Sequence, residues 1–133
     1  MVYQAIQDTC LMRDIEAPEK RGQTQQGNPR RVITCRPCMK VLCDAGAKVA
    51  INGAVTHTFA NPAGLMYEIM CVHYAEGCRV DSVPSVVFTW FKGCNWAVLQ
   101  CAGCHVHLGW RFRGAMSFDG LITQRIMERT LDE

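Results

Sequence analysis

Short apolar runs, each broken by a turn sequence, recur along the chain from about Arg31 onward. The runs are rich in β-branched, aromatic and methionine residues, and Gly, Pro, Asn or Asp residues mark the breaks. The breaks read INGA, NPAG, AEGC, DSVP and FKGCN. The runs predicted as strands are RVITC, AKVAI, VTHTF, GLMYEIMCVHY, SVVFTWF, AVLQC and LGWRF. This pattern predicts a mainly β domain.

The two ends of the chain depart from this pattern. Residues 1–30 mix charges with the polar stretch RGQTQQGNPRR, which predicts a loosely ordered arm with a helical turn near QDTCLMRDIE. Near the other end, DGLITQRIMERTL has apolar residues close to helical spacing, which predicts a short C-terminal helix. Those positions are Leu121, Ile122, Ile126, Met127 and Leu131. We therefore expect an arm over 1–30 and one domain over 31–133.

Composition narrows the class of protein. A chain of 133 residues suits one domain, and 49% hydrophobic with 20% charged residues is typical of a soluble globular protein. The net charge of +2 is too small to indicate nucleic-acid binding. No apolar stretch approaches the roughly 20 residues of a membrane span. The N-terminus MVYQAIQDTC lacks the basic and apolar regions of a signal peptide. We expect neither a nucleic-acid partner nor a membrane partner.

Two of the cysteine pairs have metal-ligand spacing. CRPC and CAGC each follow a β-like run, so each looks like a strand that enters a tight knuckle. A two-residue spacer lets both sulfurs face one ion, and four thiolates suit tetrahedral zinc. His105 and His107 lie beside the second knuckle, but four thiolates suffice, so both are interpreted as strand or surface residues. The predicted ligands of one structural zinc ion are Cys35, Cys38, Cys101 and Cys104.

An odd number of cysteines remains, so not all of them can pair within one chain. Buried free cysteines behave as small hydrophobic residues, and we expect reduced thiols. A Cys71–Cys78 or a Cys43–Cys94 disulfide stays open as an alternative. The remaining cysteines are Cys10, Cys43, Cys71, Cys78 and Cys94.

All three tryptophans lie between residues 90 and 110. In strands, alternate residues share a face, so Phe88 would lie beside Trp90, and Trp110 beside Phe112. Trp90 and Trp96 flank a turn that contains glycine, which would let their rings face each other. These aromatic residues either form a small aromatic box or fill the core, and the residues alone leave both interpretations open.

A family resemblance favours the box. NPAG, FTWFKGCNW, CAGCHVHLGWRF and FDGLIT together resemble the thalidomide-binding (CULT) domain of the cereblon family, especially its short single-domain relatives. The resemblance covers about residues 31–129 and includes both knuckles and all three tryptophans. It implies a β-tent of two antiparallel sheets at a steep angle, pinned by zinc on the four cysteines of the knuckles.

The resemblance also implies a ligand and the residues that bind it. The ligand is a cyclic imide: the glutarimide of thalidomide-type drugs, a uracil-like ring, or a cyclised imide at a protein C-terminus. Backbone groups of the strand entering the cage would read the imide edge, and Phe88 replaces a histidine of cereblon. The implied site residues are Trp90, Trp96 and Trp110 as walls, Phe112 as the base, Phe88 and Trp90 for the backbone contacts, and Asn61 with Pro62 on a nearby loop.

Three other functions compete with imide binding. A cage for methylated lysine would gain from a nearby carboxylate, yet the flanking charges are Lys92, Arg111 and Arg113. CAGCHVHLGW also resembles the knuckle of B-type methionine sulfoxide reductases, but no cysteine follows Cys104 to act as the nucleophile, so we expect no enzyme. A protein-interaction β-tent without a small-molecule ligand, as in a related guanine-exchange chaperone family, stays as the alternative.

The resemblance also bears on partners and compartment. In cereblon the ligase adaptor binds a preceding Lon-like domain, which a leader of 30 residues does not supply, so we expect no adaptor binding. The expected partners are small-molecule cyclic imides or a protein C-terminal cyclic imide. A monomer is expected, and a cytoplasmic location is favoured over a secreted one.

Overall fold

The structure is a computed structural model that describes residues 29–131. These residues form nine β-strands. Residues 31–130 form one compact unit. Apart from Pro29 and Arg30, the predicted arm lies outside the described residues, as do its helical turn and Cys10. The strands are β1 (Arg30–Cys35), β2 (Val41–Asp44), β3 (Thr56–Ala60), β4 (Met66–Val72), β5 (Cys78–Val80), β6 (Cys94–Cys101), β7 (His107–Gly114), β8 (Phe118–Ile122) and β9 (Ile126–Leu131).

The strands form two antiparallel sheets, which confirms the predicted mainly β class. The smaller sheet has the order β2-β1-β9, and the larger has the order β3-β4-β8-β7-β6-β5. β6 and β7 are the longest strands and pair along nearly their whole length, from Cys94 opposite Gly114 to Gln100 opposite His107. A β-bulge between Leu99 and Gln100 interrupts this register. These two strands connect the cysteine end of the larger sheet to its tryptophan end.

The buried residues divide into two clusters. The aliphatic cluster surrounds the buried cysteines of the knuckles, and its largest fully buried members are Ile33, Leu42, Val72, Leu99, Leu108 and Leu121. The aromatic cluster is built on Phe91, Phe112 and Phe118, whose ring centroids are all 4.9 Å apart, and the tryptophans pack against it. The sequence thus places aliphatic packing at one end of the fold and aromatic packing at the other.

The predicted C-terminal helix is wrong. The segment forms β8, a 3-10 turn at Thr123–Arg125, and β9. All five residues of β8 are buried because its two faces pack against different clusters, Phe118 and Ile122 in the aromatic cluster and Leu121 in the aliphatic cluster. In β9, burial alternates from Met127 onward, which is the period of a strand. The apolar spacing resembled a helix only because a turn joins these two different strand patterns.

Two further predicted strands are loops, and two short strands were missed, β2 and β5 (Cys78–Val80). AKVAI and SVVFTWF make isolated bridges only, Lys48 with Val72, Ile51 with Ala54, and Ser85 with Trp96. Val41–Asp44 is a strand that the sequence pattern did not indicate. In the segment around Phe88, side chains bind the local backbone: Val87 N–H donates to Ser85 Oγ (3.0 Å). Such bonds compete with a strand ladder and favour turns.

Candidate functional site

Four cysteine sulfurs meet where β1 and β6 end. Cys35 is the last residue of β1 in the smaller sheet, and Cys101 is the last residue of β6 in the larger sheet. The sulfurs of Cys35, Cys38, Cys101 and Cys104 all lie within 4.8 Å of one another. Bonds of about 2.3 Å to a tetrahedral ion would separate the sulfurs by about 3.8 Å. Cys35 and Cys104 are 3.6 Å apart, and Cys38 and Cys101 are 3.5 Å apart, so the cluster could hold a metal ion.

The two knuckles repeat one backbone turn. In the first, Cys35 N–H donates to Lys40 O (2.9 Å) and Met39 N–H donates to Cys35 O (2.8 Å). In the second, Cys101 N–H donates to Val106 O (2.9 Å) and His105 N–H donates to Cys101 O (2.9 Å). Met39 (φ 67°) and His105 (φ 68°) both adopt the left-handed conformation. The predicted strand-to-knuckle geometry is therefore present twice, with its strained position at the same place in each copy.

Each knuckle contributes one buried and one exposed sulfur. Cys35 and Cys101 are buried, whereas Cys38 and Cys104 are exposed. Burial raises the pKa of the Cys35 thiol, and the neighbouring thiols raise it further. Gly103 leaves room beside the sulfurs, because a Cβ there would lie 3.1 Å from Lys40 Cδ and 3.5 Å from Cys38 Sγ. The cluster therefore lies at the surface of the fold, with two of its four cysteines buried.

The other described cysteines are free and buried. No disulfide links Cys43, Cys71, Cys78 and Cys94, so neither of the two disulfide alternatives forms and the expected reduced thiols are present. Burial raises the pKa of Cys43, Cys71 and Cys78 to about 12 in each case. These thiols stay protonated at neutral pH and pack as small hydrophobic groups.

A cavity of about 330 Å³ lies at the tryptophan end of the larger sheet. Trp96 projects into it from β6, Trp110 and Phe112 from β7, and Trp90 from the loop that precedes β6. All residues predicted for ligand binding line it: Asn61, Pro62, Phe88, Trp90, Trp96, Trp110 and Phe112. The structure therefore brings these residues together around one space, and their role in ligand binding stays a prediction.

The tryptophans are held in fixed orientations. Trp90 and Trp110 meet edge to face with ring centroids 4.7 Å apart, and Trp90 stacks on Phe59 at 5.0 Å. The indole N–H of Trp90 donates to Ala60 O (3.0 Å), and that of Trp96 donates to Val87 O (2.8 Å). Since these donors bind backbone carbonyls, the indoles offer the cavity mainly their apolar ring surface.

Phe112 occupies the base for a packing reason. Its ring lies against the backbone of Gly120 in β8, where a Cβ would come within 3.2 Å of the ring and 2.8 Å of Ile69. Trp110 and Phe112 are two residues apart in β7, so the prediction that they lie on the same side is confirmed. Phe88 and Trp90 also line the cavity together, but not as alternate residues of a strand, because their segment is a turn in which Phe88 has φ 56°.

Four lining residues were missed by sequence reasoning: Tyr67, Val87, Val98 and His107. Tyr67 belongs to β4, which reaches β7 only through β8, so nothing in the local sequence places it here. His107 was interpreted as a strand or surface residue; it begins β7, but it is half-buried and faces the cavity. Leu99 pairs with Gly109 and Gln100 with His107, so β7 carries one extra residue between them, and this bulge shifts the alternation so that His107 and Trp110 share the cavity.

His107 has a defined tautomer. Arg125 Nη1 lies 3.4 Å from its Nδ1, and because arginine only donates, Nδ1 accepts. Nε2 therefore carries the proton and donates to Gly109 O (3.0 Å). Burial lowers the pKa of His107; the hydrogen bond to Gly109 opposes this effect, and the charge of Arg125 adds to it. The described lining includes no Asp, Glu, Lys or Arg, so the cavity is neutral at neutral pH.

Comparisons with known proteins extend this picture. No protein-family model matches the sequence. The chain is 35% identical to protein cereblon of Danio rerio over 54 residues, which is 41% of this chain and 12% of that protein. It is 29% identical to protein cereblon of Drosophila simulans over 86 residues, which is 62% of this chain and 14% of that protein. The chain thus spans 12–14% of the length of these curated relatives. The matches support a cereblon-type domain.

Among the described residues, no helix is both long and apolar enough to cross a membrane.

Proposed function

We propose that this chain is a non-catalytic binding module that recognises cyclic imides in the cavity lined by its three tryptophans. The observation that carries the proposal is the cavity itself: three indoles and Phe112 around about 330 Å³ of neutral space, on a chain similar to cereblon proteins. The proposed ligands are the glutarimide of thalidomide-type drugs, uracil-like rings, or a cyclised imide at a protein C-terminus.

The chemistry of an imide fits this lining. A planar imide presents an acceptor, a donor and an acceptor along one edge, and backbone C=O and N–H groups can answer that pattern. Phe88 and Trp90 supply such groups from the turn that borders the cavity. The ring methylenes would pack against the indoles and gain apolar burial. Since the lining carries no charged side chain, a neutral ring is favoured over a methylated ammonium ion.

The size of the ligand limits its affinity. A bare glutarimide has about eight non-hydrogen atoms, and at roughly 1 kcal/mol per atom its Kd would be on the order of micromolar. Such a site would also reject rings that lack the imide N–H, because its own backbone acceptor would then be left unpaired. We therefore assign recognition, rather than catalysis, to the cavity.

We further propose zinc as the metal of the cysteine cluster. Four thiolates arranged as two knuckles form a closed structural site that leaves no position for substrate. The ion would join the end of β1 in one sheet to the end of β6 in the other. The role of the ion is therefore structural, and the ion would lie beside the aliphatic cluster.

The remaining partner assignments follow from the same proposal. The chain acts as a monomer that binds its imide without a ligase adaptor, a nucleic acid or a membrane. Co-purification of a cullin adaptor with the chain from a eukaryotic lysate would contradict the adaptor assignment. A β-tent that binds another protein without a small-molecule ligand is the second candidate, and the experiment below separates the two.

A fluorescence titration tests the imide assignment. All three tryptophans of the sequence line the cavity, so an occupant should change most of the intrinsic emission. We expect saturation by glutarimide with a Kd on the order of micromolar and no saturation by N-methylglutarimide. A flat response to both compounds would contradict imide binding and favour the protein-interaction candidate.

A further inference from the structure

Phe88 lies at the mouth of the cavity in a position that packing does not explain. Its side chain lines the cavity, yet it is 72% exposed to solvent. Exposure of an aromatic ring forgoes the favourable burial of its apolar surface. Phe88 also has φ 56°, a conformation that bulky side chains disfavour. The fold thus holds an exposed aromatic ring in a strained conformation beside a cavity, which points to a function for the ring.

The turn that carries Phe88 is held by groups other than its own side chain. Ser85 and Trp96 exchange two backbone hydrogen bonds of 2.8 Å each. Val87 N–H donates to Ser85 Oγ, and the indole of Trp96 donates to Val87 O (2.8 Å). One wall of the cavity, Trp96, therefore fixes the position of the turn, and the ring of Phe88 projects from it as a consequence.

The neighbours of Phe88 continue its apolar surface. Val86 and Val87 are 69% and 57% exposed, and Val87 also lines the cavity. We call Val86, Val87 and Phe88 the apolar rim. A ligand that covers this rim must be neutral in the part that enters the cavity. The described lining carries no Asp, Glu, Lys or Arg, and burial lowers the pKa of His107. A bare ring inside the cavity would leave the rim uncovered.

We propose that Phe88 determines specificity, and that the preferred ligands are cyclic imides with an apolar group, aromatic above all, attached through the ring carbon next to an imide carbonyl. In a protein, this describes a C-terminal cyclic imide that follows an aromatic or large aliphatic residue. The inference rests on the proposed imide-binding function. With the imide edge against the turn backbone and the methylenes against the indoles, a substituent leaves through the mouth, where it meets Phe88.

The expected size of the preference follows from the area covered. A second aromatic ring placed on Phe88 would remove on the order of 50 Å² of additional apolar surface from water, which corresponds to about tenfold in Kd. An imide that carries only a glycyl group cannot cover the rim. The two ligands should therefore differ in affinity while sharing every contact inside the cavity.

The test compares three probes: glutarimide, 3-(N-acetylglycylamino)glutarimide and 3-(N-acetylphenylalanylamino)glutarimide. Each is titrated against the full chain and two variants. Phe88→Asn removes the ring, and asparagine tolerates φ near 56° better than most residues, so the turn should persist. Val83→Asn is the matched control, since Val83 is 84% exposed in the same segment but does not line the cavity. Thermal unfolding of both variants verifies the fold.

We expect the unmodified chain to bind the phenylalanyl probe about tenfold more tightly than the glycyl probe. Phe88→Asn should abolish this ratio, whereas Val83→Asn should retain both the ratio and the affinity for glutarimide. Equal affinity of the unmodified chain for the two substituted probes would overturn this inference alone, as would a preference that survives Phe88→Asn. Failure of all three probes to bind would instead overturn the proposed imide-binding function.

Discussion

The cysteine end and the tryptophan end of this protein are built in opposite ways. At the cysteine end, one backbone turn occurs twice, each copy follows a strand, and aliphatic side chains close the space around it. At the tryptophan end, the walls come from β6, β7 and an irregular loop, and the cavity between them is left open. The first arrangement concentrates contacts and stabilises the fold. The second leaves apolar surface unfilled, which costs stability and suits a ligand.

Among the variants considered, Cys101→Ser should have the largest effect, because it changes the cysteine end, on which stability depends. Loss of one thiolate should abolish binding of the proposed zinc ion, and structural zinc contributes about 10–16 kcal/mol in small zinc domains, which is comparable to the roughly 5–15 kcal/mol by which a typical domain is stable. We expect an unfolded chain with no bound zinc. Elemental analysis and circular dichroism measure both properties.

The matched control for this variant is Cys43→Ala, which removes a buried thiol outside the metal cluster. It should keep one zinc ion per chain and lose only about 1 kcal/mol of stability. If Cys101→Ser lacked zinc yet unfolded at the normal temperature, the cysteine end would not be the stabilising part of the molecule.

A smaller and more local effect is expected from Trp96→Ala. The substitution removes a wall of the cavity and the donor that binds Val87 O, but it leaves the cysteine cluster untouched. We expect zinc content and cooperative unfolding to persist, while affinity for glutarimide falls by about thirtyfold or more, the change that corresponds to loss of about 2 kcal/mol from an aromatic anchor.

Isothermal calorimetry measures this affinity, and Tyr74→Ala serves as the control. Tyr74 is a half-exposed aromatic residue that packs on Arg111, 4.1 Å from its guanidinium carbon, and does not line the cavity. Its loss should leave glutarimide binding unchanged. Unaltered binding by Trp96→Ala would remove the basis for calling the cavity a ligand site.

The smallest expected effect concerns pH. Burial lowers the pKa of His107 from its usual 6.5, so the unfolded chain binds this proton more readily than the folded chain does. The stability that neutral His107 contributes is therefore complete above about pH 6.5 and is lost as pH falls through the folded pKa, at no more than about 1.4 kcal/mol per pH unit.

Denaturant unfolding at pH 7.5 and pH 5.5, compared between the unmodified chain and His107→Gln, isolates this contribution. Glutamine keeps an N–H donor without titrating, so its stability should decline less on acidification. An identical decline in the two proteins would show that His107 does not couple the tryptophan end to pH.

The same contrast governs what the sequence could predict. The knuckles were predictable because the spacing within CRPC and CAGC and the turn that each forms are local. The helix expected around Ile126 was wrong because the aliphatic and aromatic clusters bury β8 on both faces, and the other members of these clusters lie elsewhere in the sequence. Likewise, the position of Phe88 could not be predicted because its turn depends on Ser85 and Trp96. The position of His107 could not be predicted because a β-bulge breaks the alternation of side chains along β7.

Prediction of the cavity depended on the family resemblance, since the aromatic residues alone were equally compatible with a packed core. Both interpretations hold in part: Phe112 is buried among the phenylalanines of the aromatic cluster while it also forms the base of the cavity. A residue with both roles cannot be assigned from sequence periodicity, because the same alternation places it toward the core and toward the ligand.

The exposed position of Phe88 has an evolutionary consequence. Hydrogen bonds from Ser85, Val87 and Trp96 hold the turn, and the side chain of Phe88 contributes little to packing. Substitutions by residues that tolerate its positive φ are therefore nearly neutral for folding, while they alter the surface that a ligand meets on leaving the cavity. Descendants of one ancestral scaffold can in this way acquire different ligand preferences by single changes at the rim, without a compensating change in the core.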